Sequence, residues 1–582
     1  MSRGVSCMSL NRITTMEQLE VQLGDPAVLD GSLHFVLSHE YDEAERFPQA
    51  HIETLRTLGC FQYFIPARLG GQLAEFEQLA LLCRVIARRD LSTAIAFGQT
   101  FLGALPVWLA GNTQQQETLA AQLREGGLGC LALTEKAHGS DIFATELMAR
   151  QSGEHLYLTG NKWLINNANK GVSVTVLAKR LPPGGSPELC LLYLPKADLN
   201  PRHWQATGKI RTHGIRGADI SGLEFRDCKV DPNSLLKSTE PALFTVLKGL
   251  QISRILCAGF SLGALDSLFR TTLGFARERV LYARGMLEIP AVRANLAQCY
   301  SRILVADLVN QLGCRAISQL PTQLSLYSAI VKYLVPTEAE QIGQQLSVTL
   351  GARHYLRDEY QFGMFQKFLR DNQVVSLFDG STQINLGLIA SQLNALSANL
   401  LSRQAASADR DALNQVVALF RIGESCSGFP EQAQLALNNG GQDAVMAAFL
   451  QLMADPDATS FSPETRALTV QLQTSLLQLL REIHGLAQPP SAAINSACYL
   501  ELAKRYSRLF SGACAVLAWH CNDASQAAEF ASPAILQEYL RYLLAVPLTP
   551  ACAARHGEII DMAVAKVDQR YLLSFNAMHI QS

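Results

Sequence analysis

RDNQVVSLFDGSTQINL, running from Arg370 to Leu386, carries a carboxylate, Asp379, on the turn FDGST. An apolar segment, Val374 to Phe378, precedes the turn. Ile384, Leu386 and Ile389 follow it at helical spacing, which predicts a helix starting near Ser381 or Thr382. Asp, Gly, Ser and Thr are ordinary turn and N-cap residues, and most such strings only start a helix. An acid on a glycine turn between two apolar segments is also placed to face a pocket. The turn alone leaves both readings open.

Working outward, the helical period surrounds this stretch from about Pro241 to Leu396. Long, sparsely charged runs such as ALFTVLKGLQISRILCAGFSLGALDSLFRTTLGFARER predict a four-helix bundle. Before it, from Cys130 to about Leu236, come short runs rich in β-branched residues: HLYLTG, KWLINN, VSVTVLAKR, ELCLLYLPK and GLEFRDCKV. Turn strings such as PPGG separate them, which predicts an antiparallel sheet or small β-barrel. Residues from Met16 to about Glu125 read as helices broken at Gly70-Gly71. After the bundle, SANLLSRQAASADRD (residues 397–411) reads as a linker. About 170 further residues predict amphipathic helices that form a bundle of their own or cover the preceding domain. The expected organisation is mainly α with a central β domain: 1–128 helical, 129–237 β-barrel, 238–396 four-helix bundle and 397–582 helical extension.

Length and composition agree with several folded units. The chain has 582 residues, 48% of them apolar and 17% charged, with a net charge of -2 and no basic block, which argues against nucleic-acid binding. No signal-peptide core opens the chain, and no later run is read as the ~18 uncharged apolar residues of a membrane span. A cytoplasmic protein is expected. Fourteen cysteines stand singly, without C-x-x-C or zinc spacing; they predict buried, reduced thiols and no metal.

Five strings, in order, resemble the acyl-CoA dehydrogenase family of flavoproteins: FPQAHIETLRTLGCFQYFIPARLGGQ with IARRDLSTAIAFG, CLALTEKAHGSD, GNKWLINNANK, SRILCAGFSLGALDSLFRTTLGFARERVLYARG, and LGARHYLRDEYQFGMFQKFLRDNQVVSLFDGSTQIN. The resemblance spans about residues 40 to 396. It implies FAD as cofactor, an acyl-CoA or acyl-carrier-protein thioester as substrate, and an electron-transfer flavoprotein or oxygen as electron acceptor. The helical extension is similar to that of the very-long-chain branch, whose members are dimeric, and so implies a homodimer.

The resemblance assigns roles by position. Asp379 stands where the family keeps its catalytic base, and the alternative base position is Ser253, which cannot serve. An α-proton beside a thioester is weakly acidic, so such a site needs preorganised donors for the developing enolate oxygen. Leu131, Leu133, Thr134, Ser140, Leu164, Ile165 and Asn166 match flavin-contacting positions. Arg279 matches an arginine that reaches the flavin pyrophosphate of a neighbouring subunit. Gly351 and Ala352 match a glycine pair near the cofactor, and Ser381 and Gln383 match residues near its adenine part. Ser140, Arg254 and Gly380 are implied substrate contacts. Phe97 and Phe101 are candidates for narrowing the acyl tunnel.

Departures from the family pattern are Leu164 for the usual tryptophan, Asn166 for Thr or Ser, Lys136 for Pro, Val348 for Gln and Ala352 for Gly. They leave open an oxidase, or a flavin-free relative acting as an assembly partner.

Overall fold

The computed structural model describes residues 5–29, 31–182, 185–406, 412–455, 461–486 and 496–581. Six helices come first: α1 (Val5–Leu23), α2 (Phe35–Glu43), α3 (Gln49–Thr57), α4 (Phe76–Ala87), α5 (Leu91–Ala110) and α6 (Thr113–Arg124). Asp90 caps α5 by accepting from the amides of Ser92 and Thr93, and a reciprocal Asn112–Gln115 pair caps α6. Helix α5 is uncharged over all its 20 residues and so does reach the length of a membrane span, contrary to the sequence expectation. Protein surrounds it on most sides, which is why its apolar residues are not confined to one stripe.

Seven strands follow: β1 (Gly129–Ala132), β2 (Met148–Ser152), β3 (His155–Asn166), β4 (Ser173–Leu181), β5 (Glu188–Pro195), β6 (Trp204–Ala206) and β7 (Ile220–Val230). The expected all-antiparallel sheet is corrected here: β1 and β2 both run parallel to β4, β1 against its first half and β2 against its second. The remaining pairs, β2–β3, β3–β7, β4–β5 and β6–β7, are antiparallel. No ladder among the described residues closes the sheet into a barrel. Its own apolar core includes Leu158, Val176, Leu192 and Phe225.

The bundle consists of three long helices, α7 (Ala242–Glu278), α8 (Pro290–Gln319) and α9 (Leu324–Leu350). A two-residue hairpin pair, β8 (Val280–Leu281) and β9 (Arg284–Gly285), joins the first two. Short α10 (Met364–Asn372) and α11 (Thr382–Ala390) share the remaining side. Ser381 caps α11, so the helix begins where the turn chemistry placed it.

The expected linker is largely helix: α12 spans Leu393–Ala406, and residues 407–411 lie outside the described residues. Leu393, Leu396 and Leu400 are buried, which gives this polar-looking segment an inner face that a composition reading overlooks. Then come α13 (Ala412–Phe420), α14 (Ala444–Ala454), α15 (Pro463–Gly485), α16 (Ala497–Cys521), α17 (Ala534–Leu543) and α18 (Cys552–Asp568). These helices share one continuous core with the bundle, α16 meeting α11 and α8, and α17 and α18 meeting α8. Among the described cysteines Cys498 is exposed and Cys521 half-buried, which corrects the expectation of uniformly buried thiols.

One buried ionic cluster joins three parts of the chain. Lys367 on α10 donates to Asp90 and to Asp371 at 2.6 Å each, and Asp371 also accepts from the Ile215 amide. Fully buried charges persist only when paired in this way. The cluster holds the start of α5, the end of α10 and the loop before β7 against one another at the edge of a cleft.

Candidate active site

Strand β1, strand β3 and the loop before β7 face α5, α7 and the turn before α11 across a cavity of about 670 Å³. Leu131, Leu133, Thr134 and Ser140 come to it from β1 and the loop after it, and Leu164, Ile165 and Asn166 from the end of β3. Arg254 projects from α7, and Asp379, Gly380 and Ser381 from the turn. Eleven of the positions singled out in the sequence therefore surround one space.

The turn has an ordered polarity. Asp379 and Gly380 are both left-handed, with φ of 54° and 95°, a strained state for an Asp that the surroundings must impose. Three side chains take its four carbonyls. Lys332 of α9 donates to Phe378 O at 2.7 Å, and Arg254 Nε to Asp379 O at 2.9 Å. Asn385 donates to Gly380 O at 2.7 Å and to Ser381 O at 3.0 Å. The amides of Asp379, Gly380 and Ser381 donate to nothing among the described residues. With its carbonyls committed inward, the turn offers free N–H groups beside a carboxylate at a helix start, an arrangement suited to developing negative charge.

Two cationic side chains hold this backbone without neutralising the acid. Arg254 is almost fully buried, and its terminal nitrogens have no partner among the described residues. Burial brings its guanidinium down to about 10, the charge of Asp379 opposing that drop. Burial likewise lowers the Lys332 ammonium, which lies over the Phe378 ring at 5.2 Å. An internal ion pair, the ordinary reason for a buried arginine, is absent at Arg254 among the described residues. The Asp379 carboxylate instead accepts from the Cys257 thiol at 3.4 Å.

The opposite wall is built from the sheet. Glu135, just after β1, takes Lys162 at 2.7 Å together with Thr145 and the amides of Glu146 and Leu147, and so folds the 134–146 loop against β3. Trp163 N donates to Thr134 O at 2.9 Å, and Leu164, at φ 56°, turns its side chain to the cavity. The hydroxyls of Thr134 and Ser140 have no partner among the described residues, and the Asn166 side-chain oxygen is shut away from solvent with no partner either. Apolar Leu131, Leu133 and Leu164 with these free polar atoms form a wall that fits a flat heteroaromatic ring with polar edges.

Arg279, Gly351, Ala352 and Gln383 do not line the cavity; all four are exposed. Sequence reasoning also passed over Lys332, Asn385 and Cys257. Each carried a local signal: Lys332 is a lone charge in SLYSAIVKYLV, Cys257 lies one helical turn beyond Ser253, and Asn385 lies four residues beyond the Ser381 cap.

Comparison with known proteins covers the segments that carry these residues. Three family models match in order: Acyl-CoA dehydrogenase, N-terminal domain, over residues 36–127; middle domain, over 130–228; and C-terminal domain, over 244–394. A probable acyl-CoA dehydrogenase of Mycobacterium tuberculosis is 24% identical over 346 residues, 59% of this chain and 87% of that protein. The human mitochondrial short-chain specific acyl-CoA dehydrogenase is 24% identical over 368 residues, 62% of this chain and 86% of that protein. Among solved structures, an acyl-CoA dehydrogenase complexed with FAD from Bacillus anthracis superposes with a TM-score of 0.70 at 16% identity, covering 97% of this chain and 92% of that one. That match extends the likeness in fold across the C-terminal helices.

Proposed function

The chain belongs to the acyl-CoA dehydrogenase family, and from that premise we propose that it is an FAD-dependent oxidoreductase that introduces an α,β double bond into an acyl thioester carried by CoA or by an acyl-carrier protein. The observation that carries this reading is the turn at Asp379: a carboxylate at the cavity, its backbone carbonyls all committed elsewhere and its amides free.

The unpartnered Asn166 oxygen, the hydroxyls of Thr134 and Ser140, without partners among the described residues, and the apolar side chains of Leu131, Leu133 and Leu164 fit a flavin ring and would hold it. FAD, when bound, supplies the acceptor for the hydride that leaves the β-carbon. Asp379 removes the α-proton, and the Asp379 amide donates to the thioester oxygen as negative charge builds there. Arg254 fixes the base from behind by holding its carbonyl. The Asp side chain is one methylene shorter than Glu, and the left-handed backbone at Asp379 and Gly380 lets the turn stand close to the cavity to compensate.

The protein works as a homodimer in this reading. Arg279, Gly351 and Ala352 are displayed beside exposed apolar side chains, Val280, Tyr282, Val348 and Tyr355, with Tyr282 95% exposed. Arg353 lies over the Phe275 ring at 4.9 Å, which brings the segment after α9 beside the end of α7. A second copy docking there covers the apolar surface and brings Arg279 to its partner's cofactor.

Anaerobic titration of the yellow holoenzyme with acyl thioesters tests the reading. The flavin band bleaches in the wild type, whereas Asp379→Asn remains yellow and does not bleach. Bleaching that survives in Asp379→Asn would remove Asp379 as the base, and a protein that takes up no FAD would remove the enzymatic reading altogether.

A further inference from the structure

Toward the interior of the helical domain the cavity narrows at Gln99, Leu102 and Asp379, which also line a second and far smaller void. That void measures about 20 Å³, room for one water- or methyl-sized group. Aromatic rings close it. Phe64 and Phe101 stack with centroids 5.6 Å apart, Phe97 packs behind Phe64 at 4.4 Å, and Phe260 presses on α5 where Gly98 has no side chain. A Cβ at Gly98 would stand 2.5 Å from the tip of the Phe260 ring, so the ring occupies the place a side chain would otherwise take. An acyl chain laid with its α-carbon at Asp379 and its tail inward meets this wall within about one methyl-sized step.

A carboxamide stands at the neck. Gln99 is only 6% exposed, lines both the cavity and the void beside the apolar Leu102, and its amide has no hydrogen-bond partner among the described residues. A buried amide left unpartnered is disfavoured, and an aliphatic acyl group passing it would strip its water and return nothing. An acyl group with an oxygen at that point satisfies it. The amide is neutral and the adjoining Asp379 carboxylate repels anions, so the matching group is neutral.

Building on the thioester-oxidising reading above, we propose that the acyl pocket takes a short acyl group bearing a neutral hydroxyl or carbonyl one carbon beyond its β-carbon, recognised by the Gln99 amide, in preference to a plain alkyl chain.

The test compares 4-oxopentanoyl-CoA, pentanoyl-CoA and octanoyl-CoA with the holoprotein. Binding is read by calorimetry on Asp379→Asn, which cannot turn the thioesters over, and oxidation by flavin bleaching on the wild type. The expected result is that 4-oxopentanoyl-CoA binds about tenfold more tightly than pentanoyl-CoA, as one hydrogen bond provides, with octanoyl-CoA weakest. Adding the near-isosteric Gln99→Met abolishes that tenfold preference, and Phe260→Ala, which opens the void, improves octanoyl-CoA binding. Equal or tighter binding of pentanoyl-CoA, or a preference unchanged by Gln99→Met, overturns the proposal. If pentanoyl-CoA and octanoyl-CoA bleach the flavin as readily as the oxo compound, the proposal fails while the dehydrogenase reading stands. If none bleaches but the binding preference persists, the pocket assignment stands and the dehydrogenase reading fails.

Discussion

The thiol of Cys257 donates to the carboxylate of Asp379 across 3.4 Å, one helical turn from Ser253 on α7. Burial, reinforced by the Asp379 charge, pushes this thiol well above 9, so at neutral pH it is a proton donor and not a nucleophile. In the proposed mechanism the contact orients a base that is one methylene short. Replacing Cys257 with Ala is expected to lower kcat about tenfold with little change in KM, because an acid released from its one side-chain donor among the described residues samples unproductive positions. Cys257→Ser, which keeps a donor, recovers most of the rate. Equal stability of both variants by thermal unfolding separates orientation from folding.

Gly380 lies where a side chain cannot. Its φ is 95°, and a Cβ there would stand 3.1 Å from Arg254 Nη2. Gly380→Ala is expected to cost about 1–2 kcal/mol of stability. It also displaces Arg254 from the Asp379 carbonyl, so flavin bleaching slows more than the stability loss explains. Thermal melts together with single-turnover bleaching check both effects.

Tyr282, almost wholly exposed on the β8–β9 hairpin, lies at the centre of the proposed dimer contact. Tyr282→Arg is expected to weaken self-association at least tenfold in sedimentation velocity, roughly the cost of one lost anchor, and to lower the FAD content of the purified protein. A wild type that sediments as a monomer at all concentrations would refute the dimer.

Glu135 provides a pH-dependent prediction. Burial raises its carboxyl, but the Lys162 ammonium, the Thr145 hydroxyl and two backbone amides outweigh burial and bring it from the ordinary 4.5 to about 2. A carboxyl held below its unfolded value contributes stability that is complete above 4.5 and is lost as pH falls from there toward 2. Glu135→Gln, which strands the buried Lys162, is expected to cost about 3 kcal/mol near neutrality. Its Tm gap to the wild type stays constant above pH 4.5 and narrows below it.

Local chemistry settled a good deal. The helix–strand–helix order and the start of α11 at Ser381 were legible because periodicity, caps and turns act over a few residues, whereas the residues that line the cavity were named by the family resemblance and not by any local pattern. Three-dimensional packing decided the rest. The mixed sheet arises because β1 and β2 share one edge of β4, a pairing between distant segments that strand-like composition does not encode. The inner face of α12 depends on the extension that covers it. The polarity of the Asp379 turn is imposed by Arg254, 125 residues earlier, and Lys332, 46 residues before Phe378. Which groups of a turn face a ligand depends on which remote side chains take its carbonyls, and only the closed fold brings those side chains within hydrogen-bonding reach.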